Sequence, residues 1–429
     1  MKRLIMLAVL CAFVLGATVA SAADIKATAE FKSSAFWKHN WNFAKDDATA
    51  DRDTAFDINQ RMEVTMDFIA NENLKAVMTL RAGTSYWGDD LSLGASDTLA
   101  VRKAYLDFNW PDTAINVKVG HQGIALPNAV GGSMIVDSRA SALLVSAPVS
   151  DNVALTGGFI RALDGGMDGQ IDLYALIASI NAGDMNFTPF FVLGNVGGQA
   201  NIAGTGLTGL QSTNSTAGKT DGVYWLGLST TMAFGDINVA GDFNYGRLSA
   251  EEDNNDRSGW FFAASADYAM DMMTPEAFFV YSTGEDDDNT NGSERMPTLA
   301  PDWAVGSFYF GGDAWLDGSV NGGAAPLGFW ALGANLKQIA SFADGLTHQA
   351  TIMYAKGTND KKSAPGLYGT ALTEEDSLIE IDFNTYYKVY DALTIGLELG
   401  YLNLDADKDV WGDDGGSAYK IATGLKYKF

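Results

Sequence analysis

The chain has 429 residues, and its 53 acidic side chains outnumber 28 basic ones, giving a formal net charge of −25 at pH 7. Such an acidic chain would repel phosphate backbones, which argues against a nucleic-acid-binding protein. The single cysteine, Cys11, has no partner for a disulfide. After the N-terminal region, no stretch is long and apolar enough to predict a spanning helix. If this chain crosses a membrane, it must therefore do so as a closed β-barrel.

The first 22 residues are organised like a secretory signal peptide. Lys2 and Arg3 precede an apolar run over 4–19, and Ala20-Ser21-Ala22 then supplies an A-x-A cleavage site. A membrane-anchor helix is the alternative, but the run is short and ends in small residues. We expect residues 1–22 to direct export through the Sec pathway, and residues 23–429 to form a single transmembrane β-barrel domain.

Residues 56–68 alternate between apolar and polar side chains with a period of two. The apolar set is Phe56, Ile58, Met62, Val64, Met66 and Phe68, and the polar set is Asp57, Asn59, Arg61, Glu63, Thr65 and Asp67. A strand would turn one set toward lipid and the other toward water. The same alternation recurs at 76–85, 115–122, 379–388 and 393–401. It predicts an all-β antiparallel barrel.

The segments between these strands alternate in length, as expected for barrels with short periplasmic turns and long extracellular loops. The short segments are 70–73, 110–113, 234–236, 270–273 and 390–392. The long segments are 38–54, 87–98, 196–222, 249–258, 285–327, 358–377 and 405–416. About eighteen strands result, with sixteen as the alternative. Residues 285–327 are rich in Gly, Trp and Phe, and form either a strand pair or a loop folded into the barrel.

The last strand alternates over 419–429 and ends on Phe429. A terminal aromatic residue on an alternating strand resembles the signal by which barrels are recognised for insertion into the outer membrane. We therefore expect a location in the outer membrane, with the barrel-assembly machinery, membrane lipid and lipopolysaccharide as partners. Tryptophans near strand ends are expected to form interfacial girdles, and the candidates include Trp37, Trp41, Trp87, Trp110, Trp225, Trp260 and Trp411.

Residues 101–107 (VRKAYLD), 117–123 (VKVGHQG) and 126–128 (LPN) resemble the fifth strand and constriction loop of trimeric outer-membrane porins. Among these porins the sequence is most similar to the homotrimeric porins of sulfate-reducing deltaproteobacteria. The resemblance implies a homotrimer in which each protomer has its own water-filled pore for passive diffusion of ions and small hydrophilic solutes. It also implies a third outer loop, about 123–140, that folds inward and carries Asp137 and Arg139.

Four basic residues share the polar faces of the second to fifth strands: Arg61, Arg81, Lys103 and Lys118. Lumen walls tolerate charge, and rings of charged side chains can set ion preference. We expect these residues, together with His121 before the inward loop, to line the pore. A substrate-selective channel for small anions such as sulfate, phosphate or organic acids is the alternative function.

The long loops carry acidic clusters, one of which matches the start of a calcium-binding loop. Asp287, Asn289 and Asn291 have the required spacing, but Thr298 stands where a chelating Glu is needed. We expect no cofactor, and at most divalent cations held loosely at these loops. An enzyme is not expected, because a phospholipase or protease barrel would need a Ser–His pair at its wall. A soluble all-β binding protein is the remaining alternative.

Overall fold

The structure is a computed structural model. It describes residues 24–43, 54–88, 99–164, 169–197, 220–250, 256–288, 290–310, 316, 327–363 and 371–429. The signal-peptide prediction for residues 1–22 therefore lies outside the described residues. Among the described residues, no helix has the length and apolar character to cross a membrane.

The described residues form twenty β-strands, with one turn of 3₁₀-helix at Lys361–Ser363 and one turn of α-helix at Lys408–Trp411. The first ten strands are β1 (Asp24–His39), β2 (Ala55–Asn71), β3 (Leu74–Tyr86), β4 (Ala100–Asn109), β5 (Asn116–Ala125), β6 (Gly132–Ser133), β7 (Asp137–Ser150), β8 (Val153–Leu163), β9 (Ile171–Ala182) and β10 (Met185–Val196). The other ten are β11 (Thr220–Phe234), β12 (Ile237–Ala250), β13 (Arg257–Tyr268), β14 (Thr274–Ser282), β15 (Asp302–Trp303), β16 (Phe329–Ala340), β17 (Leu346–Gly357), β18 (Ser377–Tyr390), β19 (Leu393–Asp405) and β20 (Ser417–Lys428).

Eighteen of these strands form one closed antiparallel barrel, which confirms the predicted fold and excludes the sixteen-stranded alternative. Each barrel strand pairs with the next one in sequence, and β20 pairs with β1 to close the sheet. The two remaining strands, β6 and β15, pair only with each other. Closure leaves no unpaired edge, as a lipid environment requires.

Short turns lie at one end of the barrel and long loops at the other, as the sequence predicts. The turns at 72–73, 235–236 and 391–392 coincide with predicted ones, and the structure adds turns at 151–152 and 183–184. Gly183 and Gly235 occupy two-residue turns with φ values of 66° and 63°. Glycine adopts this conformation without the Cβ clash that most other residues meet, and the conformation matches the twist of a hairpin.

Large apolar side chains cover the outer face of the barrel. In the cross-strand pair Ile352–Ile381, both side chains are exposed, at 55% and 45%. Their neighbours in sequence alternate inward, and Met353 and Asp382 are buried. Trp37, Trp87, Trp110 and Trp260 are exposed, in keeping with an aromatic girdle.

Two of the predicted girdle tryptophans lie inside the barrel instead. Trp225 is fully buried, and its Nε1 donates to the carbonyl of Pro297 at 2.7 Å. Trp41 is buried against Phe308 and donates to the carbonyl of Tyr419. Position near a strand end does not distinguish outward from inward side chains, and here the inward-folded loops supply apolar partners.

The long loop 126–136 and the described part of the loop after β14, residues 283–288 and 290–310, fold into the barrel. Met134, Ile135, Phe308 and Tyr309 in these loops are almost completely buried in the apolar cluster that fills this part of the lumen. The third outer loop does fold inward, but over 126–136 rather than 123–140. Segment 283–310 does so as well, which confirms the folded-in alternative for its described part.

Candidate solute channel

Two cavities lie along the inner faces of the first strands. A cavity of about 540 Å³ is lined by side chains of both signs, among them Glu30, Arg61, Glu63 and Arg81. A second cavity of about 430 Å³ lies further along the same strands and includes Lys26, Asp67, Lys75 and Asp107 in its lining. Thr65 lines the first cavity and Asp67 the second. These two residues occupy successive inward positions of β2, so the two cavities follow one another along the wall.

The basic residues predicted to line the pore lie on this wall, and three of the four form ion pairs. Arg61 lies 3.8 Å from Glu30, Arg81 lies 2.7 Å from Glu63, and Lys118 lies 3.9 Å from Asp107. The side chains are partly exposed, so water screens these pairs. The wall is therefore a mosaic of both charges, in which the four basic residues predicted from the sequence stand among carboxylates.

The acidic partners were not selected from the sequence as channel residues. Glu63 and Asp67 belong to the polar set of β2, and Asp107 belongs to β4. Their role depends on cross-strand register, because Glu63 lies directly opposite Arg81 and Asp107 directly opposite Lys118. Opposite-charge pairs at facing positions are a recognised stabilising element of sheets. Searching for acid–base matches between neighbouring strands could have found them.

Lys103 differs from the other three basic residues. It stands opposite Thr79, and within the described part of the chain no carboxylate forms an ion pair with it. A Cβ atom on Gly123 would lie 3.9 Å from the Lys103 ammonium nitrogen, so that ammonium reaches across to β5 near its C-terminal end. Lys103 therefore carries a charge that no described side chain balances.

Asp137 and Arg139 belong to a strand rather than to the inward loop, which corrects the predicted loop boundaries. They begin β7, because the antiparallel ladder with β5 already starts at the pair Ala125–Asp137. The charge of Arg139 interacts with those of Arg81 and Glu63, so these three residues lie in one region. Asp137 donates its backbone N–H to Ala300, which joins the strand to the second inward loop.

His121 lies in β5 opposite Ala104 and Ser141. Gly120, with φ of 130°, separates it from the wall residue Lys118. His121 is thus paired with uncharged residues on both sides. Its role in lining the pore stays a prediction.

A third cavity, of about 450 Å³, lies among the long loops and is strongly acidic. Its lining includes Glu285, Asp286, Asp287, Glu294, Asp360 and Glu374. Burial raises the pKa of Glu294, although the Asp286 N–H donated to this carboxylate opposes the shift. The acidic loops thus form a negatively charged mouth near the extracellular end.

The calcium-loop residues are only partly described. Asp287 forms an ion pair with Lys362 at 3.0 Å, and the side-chain amide of Asn291 donates a hydrogen bond to Asp286 at 3.2 Å. Asn289 lies outside the described residues. Thr290 donates to Asp288 and so lowers the pKa of that carboxyl group. Among the described residues no group of three or more His, Cys, Asp or Glu side chains has the geometry of a metal site.

A Ser–His contact does occur at the barrel wall. The Nε2 atom of His348 lies 3.0 Å from Ser341 Oγ, and its Nδ1 lies 2.9 Å from Thr385 Oγ1. The imidazole also stacks on Phe383. A neutral hydroxyl stands where a nucleophilic triad places a carboxylate, so the imidazolium form lacks a stabilising charge. The contact ties the 341–345 turn to β17 and β18.

Comparison with known proteins supports the fold. No protein-family model and no curated protein sequence matches the chain. Many solved structures are similar to this chain, and three of them, each matching 95% of it, illustrate the likeness. OccAB3 of Acinetobacter baumannii has a TM-score of 0.59 at 10% identity over 99% of its own chain. A BenF-like porin of Pseudomonas fluorescens Pf-5 has a TM-score of 0.58 at 10% identity over 99% of its own chain. The outer membrane protein OprD of Pseudomonas aeruginosa has a TM-score of 0.57 at 12% identity over 94% of its own chain.

At 10–12% identity, this likeness shows the fold. A closed eighteen-stranded barrel with an apolar outer face, short turns at one end and a charged lumen defines the class of outer-membrane β-barrels of the porin fold. The predicted outer-membrane location is confirmed at this level.

Proposed function

We propose that the protein is a porin, a water-filled channel through which ions and small hydrophilic solutes diffuse passively. The charged cavity along β1, β2 and β3 carries this proposal, because Glu30, Arg61, Glu63 and Arg81 offer polar contacts to a passing solute. Half-exposed pairs of both signs interact with ions of either charge without holding them tightly. Transport of this kind needs no catalytic residue and no cofactor.

Planar-bilayer recording tests the proposal directly. The folded protein should produce discrete conductance steps in potassium chloride, and a heat-denatured sample at the same concentration should produce none. Liposome swelling should show entry of small sugars that depends on solute size. Folded protein that gives neither steps nor swelling would contradict the porin function.

The second candidate is a channel selective for small anions. Lys103 has no ion-pair partner among the described side chains, and the charges of Arg81 and Arg139 interact with each other. Arg81 and Arg139 beside the single carboxylate of Glu63, together with the unbalanced charge of Lys103, support a preference for anions along this wall. The acidic mouth at the long loops favours cations, so the balance decides the selectivity.

Charge reversal measures that balance. Arg81→Glu replaces the guanidinium beside Glu63 with a second carboxylate, so the reversal potential in a salt gradient should move toward cations. Arg247→Glu is the matched control, because Arg247 forms a comparable pair with Asp256 at 3.2 Å but lines neither wall cavity. An equal shift in both variants, or none with Arg81→Glu, would remove the anion-selective reading.

A homotrimer is the proposed assembly, and the resemblance of residues 101–128 to trimeric porins supports it. The similarity to deltaproteobacterial porins rests on the same residues and is supported by no comparison. The mass of the detergent-solubilised complex, corrected for bound detergent, should equal three chains. A mass of one chain would contradict the trimer and leave the channel proposal standing.

The Ser341–His348 contact motivates a hydrolase as a rival. A serine-reactive fluorophosphonate probe should leave the protein unlabelled, because Thr385 offers His348 no charge. Labelling that disappears in Ser341→Ala would favour the rival.

A further inference from the structure

The two inward loops are joined into one body, which we call the strut: residues 126–136, 283–288 and 290–310. Strands β6 and β15 pair within it. The Ala304 N–H donates to Gly131 at 2.7 Å, and Trp303 Nε1 donates to the carbonyl of Val130 at 2.9 Å. Either loop can therefore move only if the other moves with it or these contacts break.

One end of the strut is held by a carboxylate of the barrel wall. Asp242 of β12 is buried, with only 2% exposure. It accepts the backbone N–H groups of Ala129 at 2.9 Å and Val130 at 2.7 Å, both in the first inward loop.

Further carboxylates hold the second loop from β18. Glu380 accepts the N–H groups of Phe308 at 2.9 Å and Tyr309 at 3.0 Å. Asp382 accepts the Ser307 N–H at 2.8 Å. Both side chains are at most 1% exposed.

A fourth carboxylate, Glu398 of β19, forms a fully buried ion pair with Lys420 of β20 at 3.0 Å. Glu398 also accepts the N–H of Leu316, which continues the second loop, at 3.0 Å. The Lys420 ammonium donates in turn to the carbonyl of Ser307 at 2.8 Å. The wall thus offers the second loop hydrogen-bond acceptors, which are the carboxylates, and a hydrogen-bond donor, which is the Lys420 ammonium.

Burying carboxylates costs free energy unless hydrogen-bond donors compensate them. Apolar side chains at the same positions would stabilise the wall at least as well. Here the compensating donors are mainly backbone N–H groups of the strut. Hydrogen bonds from backbone N–H groups to carboxyl oxygens are short and directional, so they fix position as well as stabilise. The buried carboxylates of the wall are therefore explained by the strut that they hold in place.

We propose that Asp242, Glu380, Asp382 and Glu398 are positioning residues that hold the strut across the lumen. They confine solute to the charged wall of β1 to β5 and so set the size limit and ion preference of the pore. The proposal rests on the proposed porin function and adds to it the groups that determine channel width.

Glu380→Gln and Glu398→Gln, alone and combined, test the proposal in the full chain. Gln presents an NH₂ group to a backbone N–H, so the strut should loosen and single-channel conductance should rise roughly twofold in the double variant. Larger sugars should enter liposomes. Glu276→Gln is the matched control, since the described hydrogen bonds of the Glu276 carboxylate are with the wall residues Asn335 and Lys337, and the change should leave conductance unchanged. Asp242→Asn tests the other end independently, with the same expected direction.

A disulfide separates positioning from general damage. A Cβ on Gly400 would lie 3.1 Å from the Phe308 Cβ, slightly below the usual disulfide spacing. Phe308→Cys with Gly400→Cys should therefore clamp the strut to the wall after a small shift. Added to the Glu380→Gln variant, the oxidised pair should restore wild-type conductance, and reduction should release it.

The outcomes distinguish the two proposals. A wild-type protein without conductance steps would overturn the porin function itself. Wild-type steps that keep their size in Glu380→Gln, Glu398→Gln and Asp242→Asn would overturn the positioning role alone. Altered conductance that the oxidised disulfide fails to restore would overturn it too. Heat-modifiable migration in gels should show that each recorded variant is folded.

Discussion

The side chain of Lys420 carries an ammonium group and has no exposed surface inside the barrel. Its partner Glu398 is equally buried, and a carbonyl of the strut accepts its second hydrogen bond. An exposed pair would contribute little to stability, whereas removing one partner of a buried pair leaves an uncompensated charge. This residue therefore gives the clearest stability prediction.

Lys420→Met should lower the free energy of unfolding by about 3–5 kcal/mol. Glu398 would lose its counter-charge in a site that water does not reach. Denaturant unfolding in detergent or lipid measures the change. Lys388→Met is the control, because Lys388 pairs with the fully exposed Asp391 and should have little effect.

Combining Lys420→Met with Glu398→Gln removes the charge on both sides and should recover part of the lost stability. Additive losses in the double variant would contradict the idea that an unpaired Glu398 causes the damage. The cycle thus separates charge burial from loss of packing.

At the scale of elements, the strands could be predicted from sequence and the inward loops could not. Alternation with a period of two depends on local side chains alone, so 56–68 and 393–401 identify strands without knowledge of their neighbours. The turns at 235–236 and 391–392 carry short polar sequences for the same reason.

The strut depends instead on contacts between distant segments. Ser133 and Asp302 are paired across 169 positions of chain, and no local pattern marks either residue as a strand. In the sequence, Glu380 looks like the other acidic residues of the alternating strands. What distinguishes it is the hydrogen bond that it accepts from the backbone N–H of Phe308. The alternation of side chains was therefore enough to select the four basic residues as candidates, but it could not reveal their acidic partners or the carboxylates that contact the strut.

The terminal strand gives a prediction at this scale. Phe429 lies at the rim, where its N–H and carbonyl pair with Ala29 and its ring packs against Tyr427. Deleting Phe429 should reduce the amount of folded barrel in outer membranes several-fold, because the proposed recognition signal for the assembly machinery is lost.

Unheated gel electrophoresis of membrane fractions measures that amount. Tyr390→Ala is the control, since Tyr390 is another exposed aromatic residue at a short turn. Refolding of the purified deletion variant in detergent should stay near wild type. Equal loss in cells and in detergent would indicate a defect of barrel closure instead of recognition.

For the whole molecule, the lipid bilayer acts as the solvent of the outer face. Ile352 is 55% exposed near the middle of β17 and pairs with the exposed Ile381. Ile352→Lys should cost about 2–4 kcal/mol of folding free energy in bilayers, whereas a lysine near the interface should cost about 0–1 kcal/mol.

Reversible folding into lipid vesicles measures both values. Phe342→Lys is the interface control, because Phe342 lies in a short turn and is 96% exposed. Equal costs at the two positions would contradict the membrane-spanning orientation. A soluble barrel would tolerate both changes equally.

The seam where the sheet closes has a consequence for biogenesis. Glu30 of β1 lies within ion-pair distance of both Arg61 of β2 and Lys428 of β20, so it bridges the first and last strands. These three residues also line the larger wall cavity. The charged wall around this cavity is thus completed only when β20 pairs with β1. A sheet that has not yet closed leaves Glu30 without its Lys428 contact, so closure of the barrel and completion of the charged wall are a single event.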